Sequence, residues 1–561
     1  MGDDAQEATA MMGRMEVHEP QTPSWFHGAE VETPGVPRKR HQTTPAVSPS
    51  DPSAAALHLR KRHNHEKSPD PSALRSTQRA WSTGADAVSR NLLDVLDEEG
   101  DATLIVYQPS CLDHHTGRHQ ENRQRVAALC GPHGVLNLPR FQHLRWAPLD
   151  QLVPARLVDL ERVHSRAYLR HLEATCALLP PQDANLSIQN EFEGHRSHKS
   201  WIQTTKAVKC HEDTICNAAV DLDPDMPISK ESFMTARYAV GAVLHAVDEV
   251  VCGRSRNAFV VVRPPGHHAG PYGCVENDAF HKSPGGCSCG FCLLNNVAIG
   301  AAYAMTTYGP SHYSKASISH ATVRRVAIID FDIHHGNGTE EIVRNLRLHD
   351  HRYPLPPSWA PKTFPSYMPW RDDDDADNVF FASMHVYDET TAFYPGSGRG
   401  PHGRNELASC NTIVNIPLTN LGASGKRGTE RTRLEHMERA SSEFQSKATE
   451  VLLPALRAFA PDLILISSGF DGHVDDYYHG LTEWDYEWIT QRLVEIADNC
   501  CDGRIVSVLE GGYSLAPPSK ASSSNLALAA DRHGRDVDPD LIKFGGMARS
   551  CAAHVAALSR D

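Results

Sequence analysis

The 561-residue sequence has no apolar run long enough to span a bilayer, which excludes a transmembrane helix. It has no excess of basic charge: 55 Lys and Arg stand against 69 Asp and Glu, for a net charge of −14. Phosphate backbones are held by basic patches, so the main surface is a poor nucleic-acid binder, while a cationic substrate is electrostatically favoured. The 14 cysteines lack the rhythm of a disulfide scaffold, and the polar start of the chain lacks a signal peptide. Together these point to a reducing intracellular setting. No internal repeat is evident.

Residues 1–100 are short of aliphatic side chains and rich in Pro, Ser, Thr, His and charge. That composition buries too little apolar surface to offset chain entropy, so the segment is read as a disordered tail. Many of the 33 histidines sit there (His18, His27, His41, His58, His63, His65), so their number alone does not indicate a metal. Two basic clusters, Arg38-Lys39-Arg40 and Arg60-Lys61-Arg62, suit either nuclear import signals or a solvated tail.

From Ala102 the character changes. Ala102–Tyr107, Ala258–Val262, Arg325–Asp330, Leu463–Ser467 and Ile505–Leu509 are apolar runs of strand length. Continuous rather than alternating apolarity suggests strands buried on both faces, as in a parallel sheet covered by helices. Helical stretches fall at Ser232–Val251, Asn295–Met305, Arg433–Ala460 and Glu483–Asn499. The alternation predicts an α/β fold, a three-layer sandwich around a central, mostly parallel sheet. Asp350–Asn378, with its run Asp372-Asp-Asp-Asp, reads as an exposed inserted loop, and Ala516–Asp536 as a flexible one.

Polar clusters follow four of the predicted strands: Arg263-Pro-Pro-Gly-His-His, Asp330-Phe-Asp-Ile-His-His-Gly-Asn-Gly-Thr, Gly469-Phe-Asp and Glu510-Gly-Gly-Tyr. Active sites of open α/β sheets form at the carboxyl ends of strands. Asp330, Asp332 and His334 are spaced by two, so an extended chain would turn them to one side. Such polarity beside a buried strand is costly without a cation. Asp332, His334 and Asp471 supply three ligands with an open fourth position, the usual plan of catalytic zinc. Each alone would be an ordinary strand-end cap. His267 and His268 are candidate acid–base groups, or else a turn with solvated side chains. Asp330 and Asn337 are candidates to orient the two imidazoles. Tyr513, on a Gly-Gly turn, would donate to a developing oxyanion, or is simply a packed aromatic.

These segments, with Gly290-Phe-Cys-Leu-Leu-Asn-Asn-Val-Ala-Ile, resemble the zinc-dependent histone deacetylases of the arginase/deacetylase superfamily, and occur in that family's order. Asn337 and Arg162-Val-His-Ser are closer to class II. The resemblance implies a catalytic domain over residues 101–561, with insertions near 274–289 and 350–378. It implies Zn2+ on Asp332, His334 and Asp471, with His268 as general base and acid, His267 charged beside Asp330, and Tyr513 on the acetyl carbonyl. Gly290 and Phe291 would line the tunnel for the lysine chain. Phe381-Ala-Ser-Met-His matches a potassium-binding strand, making Asp330 and Ser383 candidate K+ ligands. Asp213 resembles the rim carboxylate that grips the substrate backbone.

The sequence departs from the family pattern in places. Tyr394 stands before Pro395-Gly396 where Phe is usual, which makes that tunnel wall more polar. The long loop before Gly290 carries Cys274, His281, Cys287 and Cys289, which either bind a second zinc or shape the rim. His119-Gln120-Glu121 replaces a usual His-Pro-Glu. The implied activity is hydrolysis of N6-acetyl-lysine in histone tails or other proteins, in the nucleus or alternatively the cytoplasm, with a corepressor complex as one setting. Alternatives are deacetylation of small acetylated amines such as polyamines, with Glu276 and Asp278 as acidic gatekeepers, and a non-catalytic acetyl-lysine-binding scaffold.

Overall fold

A computed structural model describes residues 102–117, 119–179, 227–276, 287–310, 321–353, 362–388, 390, 393–400, 412–421, 430–476, 478–518 and 538–559. All fall in one compact unit, Ala80–Asp561. The N-terminal tail with its basic clusters, Asp213, Asp278 and His281 lie outside the described residues, and Glu276 and Cys287 are described by their backbone only.

The strands in chain order are β1 (Thr103–Tyr107), β2 (Arg145–Trp146), β3 (Asn257–Val261), β4 (Val275–Glu276), β5 (Cys287–Ser288), β6 (Val326–Asp330), β7 (His349–Tyr353), β8 (Lys362–Ser366), β9 (Val379–Tyr387), β10 (Ile413–Thr419), β11 (Leu463–Ser468) and β12 (Ile505–Leu509). Eight form one sheet in the order β10-β9-β6-β11-β12-β3-β1-β2. Every neighbouring pair in it is parallel. The expected α/β architecture is therefore present.

The continuous apolar runs resolve into two faces. Val326 and Ile328 of β6 join one core while Ala327 and Ile329 join the other, and β3, β11 and β12 divide likewise. Helices Ser232–Val251 and Asn296–Tyr308 cover the first face; Gln124–Cys130, Glu483–Cys501 and Gly546–Leu558 cover the second. Each fully buried Val, Leu or Ile contributes about 1.5–3 kcal/mol. That is why strands with apolar residues at every position settle between two helical layers.

Two expectations need correction. The helix predicted over Arg433–Ala460 is helical in three pieces: an α-helix Glu430–Lys447, a π-turn Ala448–Leu452 and an α-helix Leu453–Phe459. Pro454 has no amide hydrogen to give the preceding turn, so the hydrogen-bond register slips there. The segment 350–378 is not simply an exposed loop. β7 and β8 pair as an antiparallel hairpin, and Asp375 is fully buried, its Oδ2 accepting from the amides of Trp370, Arg371 and Asp372. One carboxylate of the acidic run is a structural cap rather than a solvated charge.

Candidate metal centre and active site

The four polar clusters leave four consecutive strands, β6, β11, β12 and β3. Asp330 ends β6, and the extended alternation stops with it. Asp330 Oδ1 then accepts from the Asp332 amide at 3.0 Å, and Asp332 Oδ1 from the His334 amide at 2.9 Å. The successive Asx turns, not strand pleat, carry the three side chains to one side.

Ligand atoms of Asp332, His334 and Asp471 lie within 4.8 Å of one another. His334 Nδ1 is 3.1 Å from Asp332 Oδ1 and 2.8 Å from Asp471 Oδ2. A Cβ on Gly469 would stand 1.9 Å from Asp332 Oδ2; one on Gly511 would stand 2.5 Å from that atom and 2.6 Å from Asp471 Oδ2. Glycine at both positions keeps the space beside the carboxylates clear. Two buried carboxylates and one imidazole, with that space open, fit a borderline divalent cation such as zinc.

His267 Nδ1 lies 2.9 Å from Asp330 Oδ2, and His268 Nδ1 lies 2.7 Å from Asn337 Oδ1. The two rings therefore differ in partner: a carboxylate for one, a neutral amide for the other. Burial opposes charge on His267, but Asp330 and Asp332 outweigh it and lift its pKa to about 10. Burial, reinforced by His267 and His334, pushes His268 well below its ordinary value. Environments that drive two adjacent groups apart suit a charged stabiliser beside a neutral base.

Glu510, to which the sequence alone assigned no role, supports this pair. Its Oε2 accepts from the Gly266 amide at 2.6 Å and the His267 amide at 3.3 Å, and Oε1 accepts from Ser467 Oγ at 3.2 Å. Burial raises its pKa to about 7. With His267 and Cys292 it forms a second close donor group among the described residues. Cys292 Sγ accepts from the His268 amide at 3.4 Å, so this group also serves to hold the two histidines.

Tyr513 follows Gly512, whose φ of 117° only glycine adopts readily. Its amide donates to Asp476 Oδ1 at 2.9 Å, and its ring stands edge-on to Phe291 at 5.9 Å. Arg125 is fully buried; its Nε donates to the Gly512 carbonyl at 2.6 Å and its Nη2 to the Glu510 carbonyl. Glu121 accepts from Arg125 Nη1 at 3.2 Å and from Arg263 Nε and Nη2 at 2.8 and 2.7 Å. Burial works against the Glu121 charge, yet the guanidinium of Arg263 holds its pKa far below the usual range.

Sequence reasoning missed Arg125, Glu121 and Arg263 as a unit. The i, i+4 spacing of Glu121 and Arg125 was the available signal.

Gly290 and Phe291 have φ of 49° and 69°, and a Cβ on Gly290 would meet His268 at 2.3 Å and the Tyr394 hydroxyl at 2.8 Å. Tyr394 lies 5.0 Å edge-on from His268. Phe393, not among the residues expected at the site, stacks on His334 at 5.3 Å. Tyr478, also missed, meets the His334 ring at 4.9 Å, and its hydroxyl accepts from Gln120 Nε2 at 3.3 Å. Ser383 faces Asp330 across the β6–β9 pairing, with its Oγ 2.9 Å from His385 Nδ1. The structure thus brings together every proposed metal and acid–base residue, while Asp213 lies outside the described residues.

The histone deacetylase domain profile matches residues 119–529. Type-2 histone deacetylase 2 of Dictyostelium discoideum is 36% identical over 422 residues, covering 74% of this chain and 20% of that protein. Histone deacetylase 14, chloroplastic, of Arabidopsis thaliana is 28% identical over 461 residues, covering 80% of this chain and 82% of that one. The crystal structure of the HDA15 HD domain aligns with a TM-score of 0.47 at 22% identity, covering 81% of this chain and 93% of that one. This chain spans only 20% and 29% of the length of two Dictyostelium relatives. Among the described residues, no helix is long and apolar enough to cross a membrane.

Proposed function

Because the chain belongs to the histone deacetylase family, we propose that it is a zinc-dependent hydrolase of the acetyl amide of N6-acetyl-lysine in histones or other proteins. The observation that carries this reading is the convergence of Asp332, His334 and Asp471 beside the differently partnered pair His267 and His268. A zinc ion held by the first three would supply Lewis acidity toward the amide carbonyl and acidify a bound water.

His268, with Nδ1 committed to Asn337, presents Nε2 to take the proton of the attacking water and return it to the leaving lysine amine. His267 stays charged against Asp330 and stabilises the negative charge that develops. Tyr513 donates its phenolic hydrogen to the acetyl oxygen. Phe291, Phe393 and Tyr394 form aromatic walls that accept an aliphatic lysine chain and exclude water. In the same reading, Asp330 and Ser383, facing each other across β6 and β9, belong to a potassium site.

The test is kcat/KM of the purified chain on an acetyl-lysine histone peptide and on an acetylated polyamine, side by side. Preference for the peptide supports the proposal. Preference for the polyamine overturns the protein-substrate reading in favour of small amines. Zinc-loaded protein that binds either compound without turnover overturns the enzymatic reading.

A further inference from the structure

The loop between His268 and Gly290 holds a feature the active-site chemistry does not use. β4 and β5 pair antiparallel, with Val275 opposite Ser288 and Glu276 opposite Cys287. The next pair outward is Cys274 and Cys289, one at each foot of the hairpin. Their sulfurs are 3.3 Å apart, and both side chains are buried, Cys274 at 7% exposure and Cys289 at none. A disulfide needs two thiols so placed and a further approach to about 2.05 Å, within reach of side-chain rotation. The other candidate zinc donors of this loop, His281 and the Cys287 side chain, lie outside the described residues.

The position of Cys289 in the chain gives the pair its consequence. Gly290 and Phe291 are the next two residues, both left-handed, and they form the wall packed on His268, Tyr394 and Tyr513. A left-handed Phe is a strained conformation that the surroundings must enforce. Cys289 also accepts, through its carbonyl, the Cys292 amide at 2.8 Å, which closes the turn carrying Gly290 and Phe291. A covalent link at Cys289 would tie that turn to the opposite foot of the hairpin.

We propose that Cys274 and Cys289 are an oxidisable dithiol whose disulfide locks the Gly290–Phe291 wall of the active site. The oxidant is a hydroperoxide. Cys274, the one with exposed surface, is oxidised to a sulfenic acid, releasing one water from hydrogen peroxide. Cys289 sulfur then attacks that sulfur and expels a second water. Two thiols and one peroxide give one disulfide and two waters, and a dithiol reductant reverses the change.

The experiment treats the full, zinc-loaded chain with graded hydrogen peroxide, maps disulfides by peptide mass spectrometry without reduction, and measures acetyl-lysine peptide turnover in parallel. The expected result is a cross-linked 274–289 peptide lighter by two hydrogens. It is accompanied by a several-fold change in kcat/KM that dithiothreitol reverses in the wild type and that is absent in Cys274→Ser. Cross-linking elsewhere, or none at doses that leave the fold intact, overturns the proposal. So does a second zinc per chain that is lost in Cys274→Ser, since the pair is then a metal site. A 274–289 disulfide with unchanged turnover overturns the link to the wall. The mapping is independent of the substrate assignment, so failure of that assignment is seen separately. Should Cys274→Ser fail to fold, the wild-type map decides the cross-link and Cys289→Ser replaces it as the control.

Discussion

The guanidinium of Arg125 lies 4.9 Å from the centre of the Tyr513 ring, while its Nε grips the carbonyl of Gly512, the residue just before that tyrosine. Arg125 thus holds both the backbone and the ring of the residue expected to polarise the substrate. Arg125→Lys keeps a charge but loses the planar fork that reaches Gly512, Glu510 and Glu121 together. The expected outcome is a fall in kcat of about tenfold or more, since displacing a catalytic group by about 1 Å costs up to 10²-fold. Steady-state kinetics should show KM changing less than kcat, and a KM effect alone would remove Arg125 from this role.

Tyr513→Phe retains the ring packing against Phe291 and Arg125 and deletes only the hydroxyl. Turnover of an acetyl-lysine peptide should fall by roughly 10²–10³. Activity near that of the wild type would take Tyr513 out of the mechanism.

Metal analysis of the purified protein should find zinc lost in His334→Ala, which removes the imidazole between Asp332 and Asp471. His268→Ala should keep its zinc while losing turnover, because His268 is not among the three donors. Equal zinc loss in the two variants would contradict the donor set.

Glu121 is fully buried between Arg125 and Arg263, and also lies 3.6 Å from His114. Glu121→Gln strands two buried guanidinium charges. Breaking one partner of such a group costs about 3–5 kcal/mol, which denaturant unfolding would register as a lower midpoint. An unchanged midpoint would mean the cluster is hydrated in solution.

Burial holds four histidines far below their ordinary pKa of 6.5: His114, with Arg263 beside it, and His554 at about 3, His164 and His479 at about 4. Unfolded, each binds a proton near 6.5; folded, each refuses it until far lower pH. Their contribution to stability is complete above about pH 6.5 and is lost as pH falls from there, toward about 4 for His164 and His479 and about 3 for His114 and His554. His268 and His385, also held well below 6.5, act with these four. His267 and His334, held up at about 10 and about 9, and the carboxyls of Glu510 and Asp476, raised by burial, act in the opposite sense but are fewer. The denaturant midpoint should therefore be lower at about pH 5.5 than at about pH 7.5. A flat profile between them would show that these rings are solvated.

The sequence was most legible where physics leaves one solution. Apolar runs such as Val326–Asp330 have only a doubly covered sheet to occupy, and the polar clusters at their ends were placed correctly for the same reason. It was least legible where a role depends on distant partners. Arg125 and Glu510 are separated by 385 positions, and no local pattern tells that the guanidinium reaches that carbonyl. Tyr478 reads as one aromatic in a polar loop until it is seen against His334. Asp375 looks like its three acidic neighbours, and only the fold shows which one turns inward.

The four strands that feed the site occupy the middle of the sheet, with β10 and β9 outside them on one side and β1 and β2 on the other. Edge strands fray first, because half of their backbone groups have no ladder partner, whereas central strands open only with the whole unit. Fraying of either edge strand, β10 or β2, therefore stops at least one strand short of those that lead to Asp332 and Tyr513. Loss of the proposed Asp332–His334–Asp471 centre should therefore coincide with loss of the sheet itself.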